Sequence, residues 1–195
     1  MEAFNPAYCP WEGGGVEYCF ARQPQALATN CVGLAQAFTS LLEDVCASEG
    51  MAGAERAEAV EQIRRAVSEG YVKTFEAAHD ENCRRKLGLV QWDGEAEALW
   101  VELTRLMSSQ SGGGVDFTLL FRGLGALAPE AAEAATASVA GGEGGEGGAG
   151  LGGGLVRRLL APAALDPVAS WPEEHREGWA AWTQRYVVES LPTDD

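Results

Sequence analysis

The chain has 195 residues, nearly half of them apolar (46%), and a formal net charge of −15. This length suits one domain or part of a larger one, and the apolar fraction is enough for a buried core. The negative charge argues against nucleic-acid binding and against an anionic membrane surface, because both attract positive charge. No run of about 18 apolar residues and no basic-then-apolar leader occurs, so neither a membrane span nor a secretory signal is predicted.

Residues 1–22 are predicted to be extended or looped, since Pro6, Pro10 and Gly13–Gly15 interrupt them. Aromatic side chains are dense in this stretch, and such a density is expected to need a surface to pack against. They are Phe4, Tyr8, Trp11, Tyr18 and Phe20. This is a first indication that the chain belongs to something larger.

Two amphipathic helices are predicted next. Pro24 can occupy the first turn of a helix that runs to about residue 47. A longer helix follows, from about Ala54 to Lys86, with Gly70 as a candidate point for a break or bend. Apolar residues recur at three- and four-residue steps in both helices. They are Leu27, Cys31, Leu34, Phe38, Leu41 and Val45 in the first helix and Val60, Ile63, Val67, Tyr71 and Phe75 in the second.

A well-defined corner is predicted where the second helix ends. Arg84–Lys86 place three cations in the last turn, where they complement the helix dipole. Gly88 is placed to take the left-handed conformation that closes a helix, and Leu87 and Leu89 can fold back on the last turn. Asp93 is then the predicted N-cap of a helix that extends to about residue 110. The inner face of that helix is predicted to comprise Leu99, Leu103, Leu106 and Met107.

Three more helices are predicted in the second half of the chain. Asp116 is a plausible N-cap for residues 117–127, a short helix covers Leu151–Leu160, and the last helix runs from about Glu173 to Glu189. Residues 129–154 are predicted to be a flexible low-complexity insertion of Ala, Gly and Glu. They do not resemble a phosphate-binding loop, because no strand precedes them and their carboxylates would repel phosphate.

One face of the last helix carries Trp179, Trp182 and Tyr186 at three- and four-residue steps. A buried hydrophobic seam is a more common reason for such a pattern than an aromatic ligand cage. We therefore predict that these three residues form a buried hydrophobic seam.

The cysteines do not predict a metal site, because their number is odd, no C-x-x-C pair occurs and there are only two histidines. Cys31 and Cys46 are predicted to be small buried hydrophobic residues. Cys9 and Cys19 lie in a loop-rich region and could be redox-active or simply free thiols, of which free thiols are favoured. The remaining cysteine is Cys83.

Two isolated residues were weighed as catalytic groups. His79 continues the apolar stripe beyond Phe75 and is predicted to be a packed or half-exposed histidine, because no partner nucleophile stands out. Arg122 is predicted to form a salt bridge or a carbonyl contact. No residue is therefore assigned a catalytic, cofactor-binding or metal-binding role.

Short motifs in the corner and after it resemble the selenoprotein O (SelO) family. Lys86–Leu89 reads K-L-G-L as in the family, Asp116–Thr118 reads D-F-T where members have D-Y-T, and Phe121–Arg122 begins the family's F-R-x-L. Met1–Pro6 resembles M-D-A-F-D-P, and Tyr18–Pro24 resembles Y-x-F-x-x-Q-P. Two further matches are Asn30-Cys31 with Leu34-Ala35, similar to N-L-x-x-L-A, and Trp179, Trp182 and Tyr186, similar to W-x-x-W-x-x-x-Y.

The chain also departs from the family pattern. Glu17 stands where members have Arg, Thr29 stands where they have Trp, and the loop between Pro6 and Tyr18 is one residue short. That short loop puts in doubt whether Cys9 corresponds to the cysteine that some members use in a regulatory disulfide. No cysteine follows Cys83, so the C-terminal redox motif of some eukaryotic members is missing.

The resemblance implies a mainly α chain that forms the helical C-terminal part of a protein-kinase-like fold. SelO proteins bind ATP and Mg²⁺ and transfer AMP to protein hydroxyls, and in the family the groups that do so precede the segment that Met1–Pro6 resembles. Residues 1–195 alone are therefore expected to hold no cofactor and to be inactive. The implied segments are a loop at 1–22, a helical region at 23–128, the insertion at 129–154 and a helical segment at 155–195.

The implied partners are the rest of the kinase-like domain and protein substrates, with no nucleic acid and no membrane. The compartment stays open, although eukaryotic members of the family are mitochondrial. The alternative function is a stand-alone acidic α-helical module that binds a partner through its exposed aromatic residues. A small redox protein that uses Cys9 and Cys19 is a third interpretation.

Overall fold

The structure is a computed structural model that describes residues 3–11, 13, 15–108, 114–127 and 151–190. In these residues no β-strand forms, and the predicted mainly α fold class is confirmed. Of the predicted flexible insertion at 129–154, residues 129–150 lie outside the described residues, and residues 151–154 form the first turn of a helix instead. The described helices are α1 (Gln23–Ser48), α2 (Gly53–Leu87), α3 (Gly94–Met107), α4 (117–127), α5 (Leu151–Leu160) and α6 (Glu173–Ser190).

Short polar side chains begin two of the helices, as predicted. Asp93 Oδ1 accepts hydrogen bonds from the backbone N–H groups of Glu95 and Ala96, at 3.1 and 3.0 Å. Asp116 Oδ1 accepts one from the N–H of Leu119 at 2.8 Å. Each bond satisfies an N–H group that has no partner within its own helix, which is why these two positions start α3 and α4.

The described chain divides into two compact units, and the division falls inside α2. The first, called here the hairpin unit, is Pro6–His79. The second, called here the core unit, combines Met1–Asn5 with Asp80–Asp195. The division into four segments made from the sequence stays a prediction.

The core unit has a continuous hydrophobic centre built from α3, α4, α5 and α6. Helix α6 packs against both α3 and α5. The predicted seam of Trp179, Trp182 and Tyr186 is confirmed, since all three are buried. The rings of Trp179 and Trp182 meet edge to face, and those of Trp182 and Tyr186 stack with centroids 5.2 Å apart.

Backbone contacts outside the helices close the core unit. Isolated antiparallel bridges join Ala3 to Asp116 and Val115 to Ala164. The N–H of Asp116 donates to the carbonyl of Ala163 at 2.6 Å, and that of Leu165 donates to Gly114 at 2.9 Å. The start of the chain, the approach to α4 and the turn after α5 therefore share one set of hydrogen bonds.

The hairpin unit pairs α1 with the first part of α2 in antiparallel fashion. The hydroxyl of Tyr71 donates to the carbonyl of Pro24 at 2.7 Å and so ties the middle of α2 to the first turn of α1. Helix α2 is continuous through Gly70, so no break occurs there. Before α1, the predicted loop contains two single 3₁₀ turns, Val16–Tyr18 and Phe20–Arg22, and the N–H of Phe20 donates to Tyr8 at 2.8 Å.

The apolar face predicted for α1 differs from the face that is buried. Helix α1 buries Ala35, Thr39 and Cys46, and Cys31, which was expected to be buried, is only half-buried. A hairpin of two helices covers one side of each helix, so the wider apolar surface of α1 stays in solvent. The exposed residues are Leu27, Leu34, Phe38, Leu41 and Val45.

Among the described residues, no helix is both long enough and apolar enough to cross a bilayer.

Candidate functional site

The corner at the end of α2 has the geometry that its sequence predicts. Gly88 has φ +68°, in the left-handed region. Its N–H donates to the carbonyl of Arg85, and the N–H of Leu89 donates to that of Arg84, both at 3.1 Å. These two bonds are the pair that closes a Schellman motif. Leu87 and Leu89 are both buried in the hydrophobic core, and their predicted contact with the last turn of α2 stays a prediction.

Arg84 holds the corner from the side of α2. Its guanidinium donates to both carboxylate oxygens of Glu81, at 2.7 and 3.0 Å, and to the carbonyls of Leu89 and Val90, at 2.8 and 3.3 Å. Arg85 donates to the same carboxylate at 2.6 Å. The hydrogen bond from Arg84, followed by that from Arg85, lowers the pKa of Glu81 to about 2, and the hydrogen bond to Glu81 raises the pKa of Arg84.

Helix α6 holds the corner from the opposite side. The hydroxyl of Tyr186 donates to the carbonyl of Leu87 at 2.9 Å, and the indole N–H of Trp182 donates to the carbonyl of Leu99 at 2.8 Å. Burial raises the pKa of Tyr186 to about 12. The last carbonyl groups of a helix have no partner inside it, and Tyr186 satisfies one of them in a dry environment.

Lys86 connects the corner to α4. Its Nζ lies 4.6 Å from the ring centroid of Phe117 and 4.9 Å from that of Phe121. Phe4, from the start of the chain, stacks on Phe117 with centroids 5.9 Å apart. An ammonium group at this distance from aromatic faces is attracted to them by about 0.5–2 kcal/mol. The group formed by Phe4, Glu81, Arg84, Lys86, Leu87, Phe117, Phe121 and Tyr186 is called here the corner junction.

The chemistry of the corner junction is that of a structural joint. Its hydroxyl donates to a carbonyl group, its arginine binds a carboxylate and two carbonyl groups, and its ammonium lies on two rings. A nucleophile beside a general base, the arrangement that covalent catalysis needs, does not occur among these contacts. The described residues also contain no cluster of His, Cys, Asp and Glu suited to a metal ion.

Two open cavities of the core unit were considered as binding sites. One, of about 860 Å³, lies between α5, the following turn and α6, and Arg157, Asp166 and Arg176 are its charged lining residues. The other, of about 560 Å³, is lined partly by Glu102, Arg105 and His175. The Nε2 atom of His175 accepts the indole N–H of Trp179 at 3.2 Å and is therefore already occupied.

Three bacterial proteins, each named protein nucleotidyltransferase YdiU, are similar to the chain. Identity is 36% over 116 residues in Jannaschia sp. (strain CCS1), 32% over 131 in Methylorubrum populi and 33% over 135 in Bradyrhizobium diazoefficiens. These alignments cover 59%, 66% and 68% of this chain. Over these stretches the chain is similar to proteins of the YdiU (SelO) family.

The similarity concerns only part of each YdiU protein. The chain spans 21%, 23% and 24% of these three relatives, which is about a fifth to a quarter of their length. No family model matches the chain. No solved structure matches it either.

The structure brings together residues from the motifs that resemble YdiU and SelO. Phe4, Lys86–Leu89, Phe117, Phe121 and Tyr186 come from five motifs in four separate segments, and they contribute to the corner junction or to the buried residues beneath it. The sequence shows the order of these motifs but does not indicate that they are in contact in the folded chain. The feature of the sequence that could have indicated this contact is that the four segments supply aromatic rings and a cationic side chain, which attract each other.

His79 and Arg122, the two isolated residues of the sequence analysis, are not part of the corner junction. The ring of His79 lies 5.8 Å from that of Phe75, as expected for a packed stripe residue. Arg122 is exposed and makes neither the salt bridge nor the carbonyl contact that was predicted with any described residue. The predicted absence of catalytic residues stays a prediction.

The cysteines are all free thiols, as favoured from the sequence. Cys19, Cys46 and Cys83 are buried, and Cys9 and Cys31 are half-buried. Burial, with a smaller contribution from Asp80, raises the pKa of Cys83 to about 11. A thiol with that pKa remains protonated near neutral pH and is a poor nucleophile.

Proposed function

We propose that this chain is the helical C-terminal region of a SelO-like protein adenylyltransferase, with a role in supporting the catalytic part of the enzyme. The complete enzyme would transfer AMP from ATP to Ser, Thr or Tyr hydroxyls of proteins. The similarity to proteins named nucleotidyltransferase supports the transferase class. The observation that carries the proposal is that four segments with motifs resembling the family, distant in sequence, meet in the corner junction.

The supporting role follows from how the corner junction uses its polar groups. Arg84, Glu81 and Tyr186 are engaged with one another or with backbone carbonyl groups, so they position helices and have no group directed at a substrate. Nucleotidyl transfer needs a metal ion to bridge the phosphates and cations to offset their charge. In our proposal ATP and Mg²⁺ bind to the part of a kinase-like fold that precedes the segment resembled by Met1–Pro6.

The proposal is tested with residues 1–195 alone. The purified chain is incubated with Mg²⁺ and ATP labelled in its α-phosphate, and the protein is examined for bound label. We expect no label on the chain or on added proteins and no tight binding of ATP. The YdiU protein of Jannaschia sp. in the same assay is the positive control. Transfer of labelled AMP by the chain alone would show that it carries its own active site.

An acidic helical interaction module is the second candidate function. It is favoured by the four exposed aromatic side chains that precede α1 in the hairpin unit, namely Tyr8, Trp11, Tyr18 and Phe20. The two functions separate cheaply at the level of the gene. In the SelO family an active-site segment, D-Y-G-P-F-G-F, precedes the M-D-A-F-D-P segment that Met1–Pro6 resembles. Codons for that segment in frame upstream of Met1 would support the adenylyltransferase region, and a stop codon there with a transcript that starts at Met1 would favour the module.

A further inference from the structure

Helix α1 carries a row of large apolar side chains that remain about half exposed. They lie along one side of the helix over most of its length and are 43–60% exposed. Single exposed apolar residues are ordinary on protein surfaces, whereas a contiguous row marks an interface. This row, called here the α1 stripe, consists of Leu27, Leu34, Phe38, Leu41 and Val45.

The spacing of the α1 stripe is that of a helix made to contact another element along its length. With the half-buried Cys31 included, the steps alternate between four and three residues, and leucine recurs every seven residues at Leu27, Leu34 and Leu41. This is the pattern of a seam into which side chains of a partner insert. A helix face that contacts only water does not require apolar side chains at this regular spacing.

The hairpin unit itself already covers the neighbouring side of α1. Ala35, Thr39 and Cys46 are buried there, and the Tyr71–Pro24 hydrogen bond fixes the first turn of α1 against α2. Helix α1 therefore has two apolar sides, of which its own unit covers one. A helix that is apolar on two sides is typical of the interior of a larger structure.

We propose that the α1 stripe is the surface against which the missing portion of a YdiU-like nucleotidyltransferase packs. This inference rests on the proposed function. The relatives are four to five times as long as the stretch that this chain spans, so most of their structure remains to be placed against it. The occupying surface is apolar with a basic edge, because Asp44 lies beside the stripe and Gln23–Ser48 contains no Lys or Arg.

A second copy of the chain fits the stripe less well. A symmetric helix pair needs the positions that flank the seam, and one of them, Ala35, is buried in the chain's own unit. Helix α1 also offers no pair of opposite charges to set the alignment of two copies, and each copy carries a net charge of −15.

The experiment uses a chimera in which residues 1–195 replace the matching stretch of the Jannaschia YdiU protein. The readout is the rate at which a thiol reagent labels Cys31, located by mass spectrometry, in the chimera and in the isolated chain. We expect labelling to be slower in the chimera by about tenfold or more, because packing must open before the reagent enters. A double variant, Leu34→Asp with Leu41→Asp, is expected to restore fast labelling. The matched control is Val101→Asp, which alters an apolar residue of the core unit that is 59% exposed, and it is expected to leave Cys31 protected.

The outcomes separate this inference from the proposed function. A chimera that transfers AMP while Cys31 labels as fast as in the isolated chain overturns the stripe interface and leaves the function standing. A chimera that protects Cys31 without transferring AMP supports the interface and removes the function. If the isolated chain is a dimer by light scattering, and the double aspartate variant makes it a monomer, the stripe pairs two copies and our inference is wrong.

Discussion

The same kind of sequence pattern, apolar residues at helical spacing, has opposite outcomes in the core unit and in the hairpin unit. In the core unit, Trp179, Trp182 and Tyr186 on α6 are buried. In the hairpin unit, the α1 stripe follows equally regular helical spacing and remains in solvent. Periodicity therefore identifies the apolar face of a helix but does not say whether anything covers that face.

The difference comes from the number of elements around each helix. In the core unit, α3 and α5 both pack on α6, and α4 contributes to the same hydrophobic cluster. The described elements of the hairpin unit are α1, the first part of α2 and two short 3₁₀ turns. Burial of apolar surface is the main favourable term in folding, so the core unit should hold most of the stability of this chain.

The largest expected effect comes from removing an indole of the core unit. Trp182 is fully buried and donates a hydrogen bond to Leu99, so Trp182→Ala should lower the free energy of unfolding by about 3–5 kcal/mol. Urea unfolding followed by circular dichroism and tryptophan fluorescence measures it. Five of the six tryptophans lie in the core unit, so fluorescence reports mainly on that unit.

Trp11→Ala in the hairpin unit is the matched control for that substitution. The side chain of Trp11 is 66% exposed, and its loss should change the free energy of unfolding by no more than about 0.5 kcal/mol. Equal effects of the two substitutions would mean that the two units do not differ in stability as their burial indicates.

A smaller effect is expected from Tyr186→Phe. Loss of the hydroxyl leaves the buried carbonyl of Leu87 without its hydrogen bond, which should cost about 1–3 kcal/mol. Tyr18→Phe, which removes a hydroxyl from an exposed ring of the hairpin unit, is the control and should cost about 0.5 kcal/mol or less.

The same tyrosine predicts a dependence on alkaline pH. The pKa of Tyr186 is raised to about 12 in the folded chain, against about 10 for tyrosine in an unfolded chain. The unfolded state therefore loses its proton first, so stability is complete below about pH 10 and falls as the pH rises toward 12. Tyr186→Phe should flatten this fall in urea unfolding measured at several pH values. If the stability of the wild-type chain and that of the variant fell equally steeply with pH, the fall could not be assigned to Tyr186.

The smallest effect compares two glycines of α2 and its corner. Gly88 has a left-handed backbone with open space around it, so Gly88→Ala should cost about 1 kcal/mol through backbone strain alone. Gly70 lies inside α2 with equally open space, so Gly70→Ala should stabilise the chain by about 0.5–1 kcal/mol. Thermal unfolding of both variants shows whether each substitution lowers or raises the stability of the chain. A stabilising Gly88→Ala would refute the role given to the corner.

Sequence alone determined the local features of this protein, because caps and helix ends depend on a few neighbouring residues. Asp93, Asp116 and Gly88 could be read in that way, and so could the amphipathic pattern of α6 and the resemblance to a family. Only the tertiary structure decided that Lys86 lies on Phe117 and Phe121 and that Tyr186 reaches Leu87, 99 residues away. It also decided that the α1 stripe is exposed while Ala35, Thr39 and Cys46 are buried. Such outcomes depend on which distant segments arrive at a surface, and no local pattern contains that information.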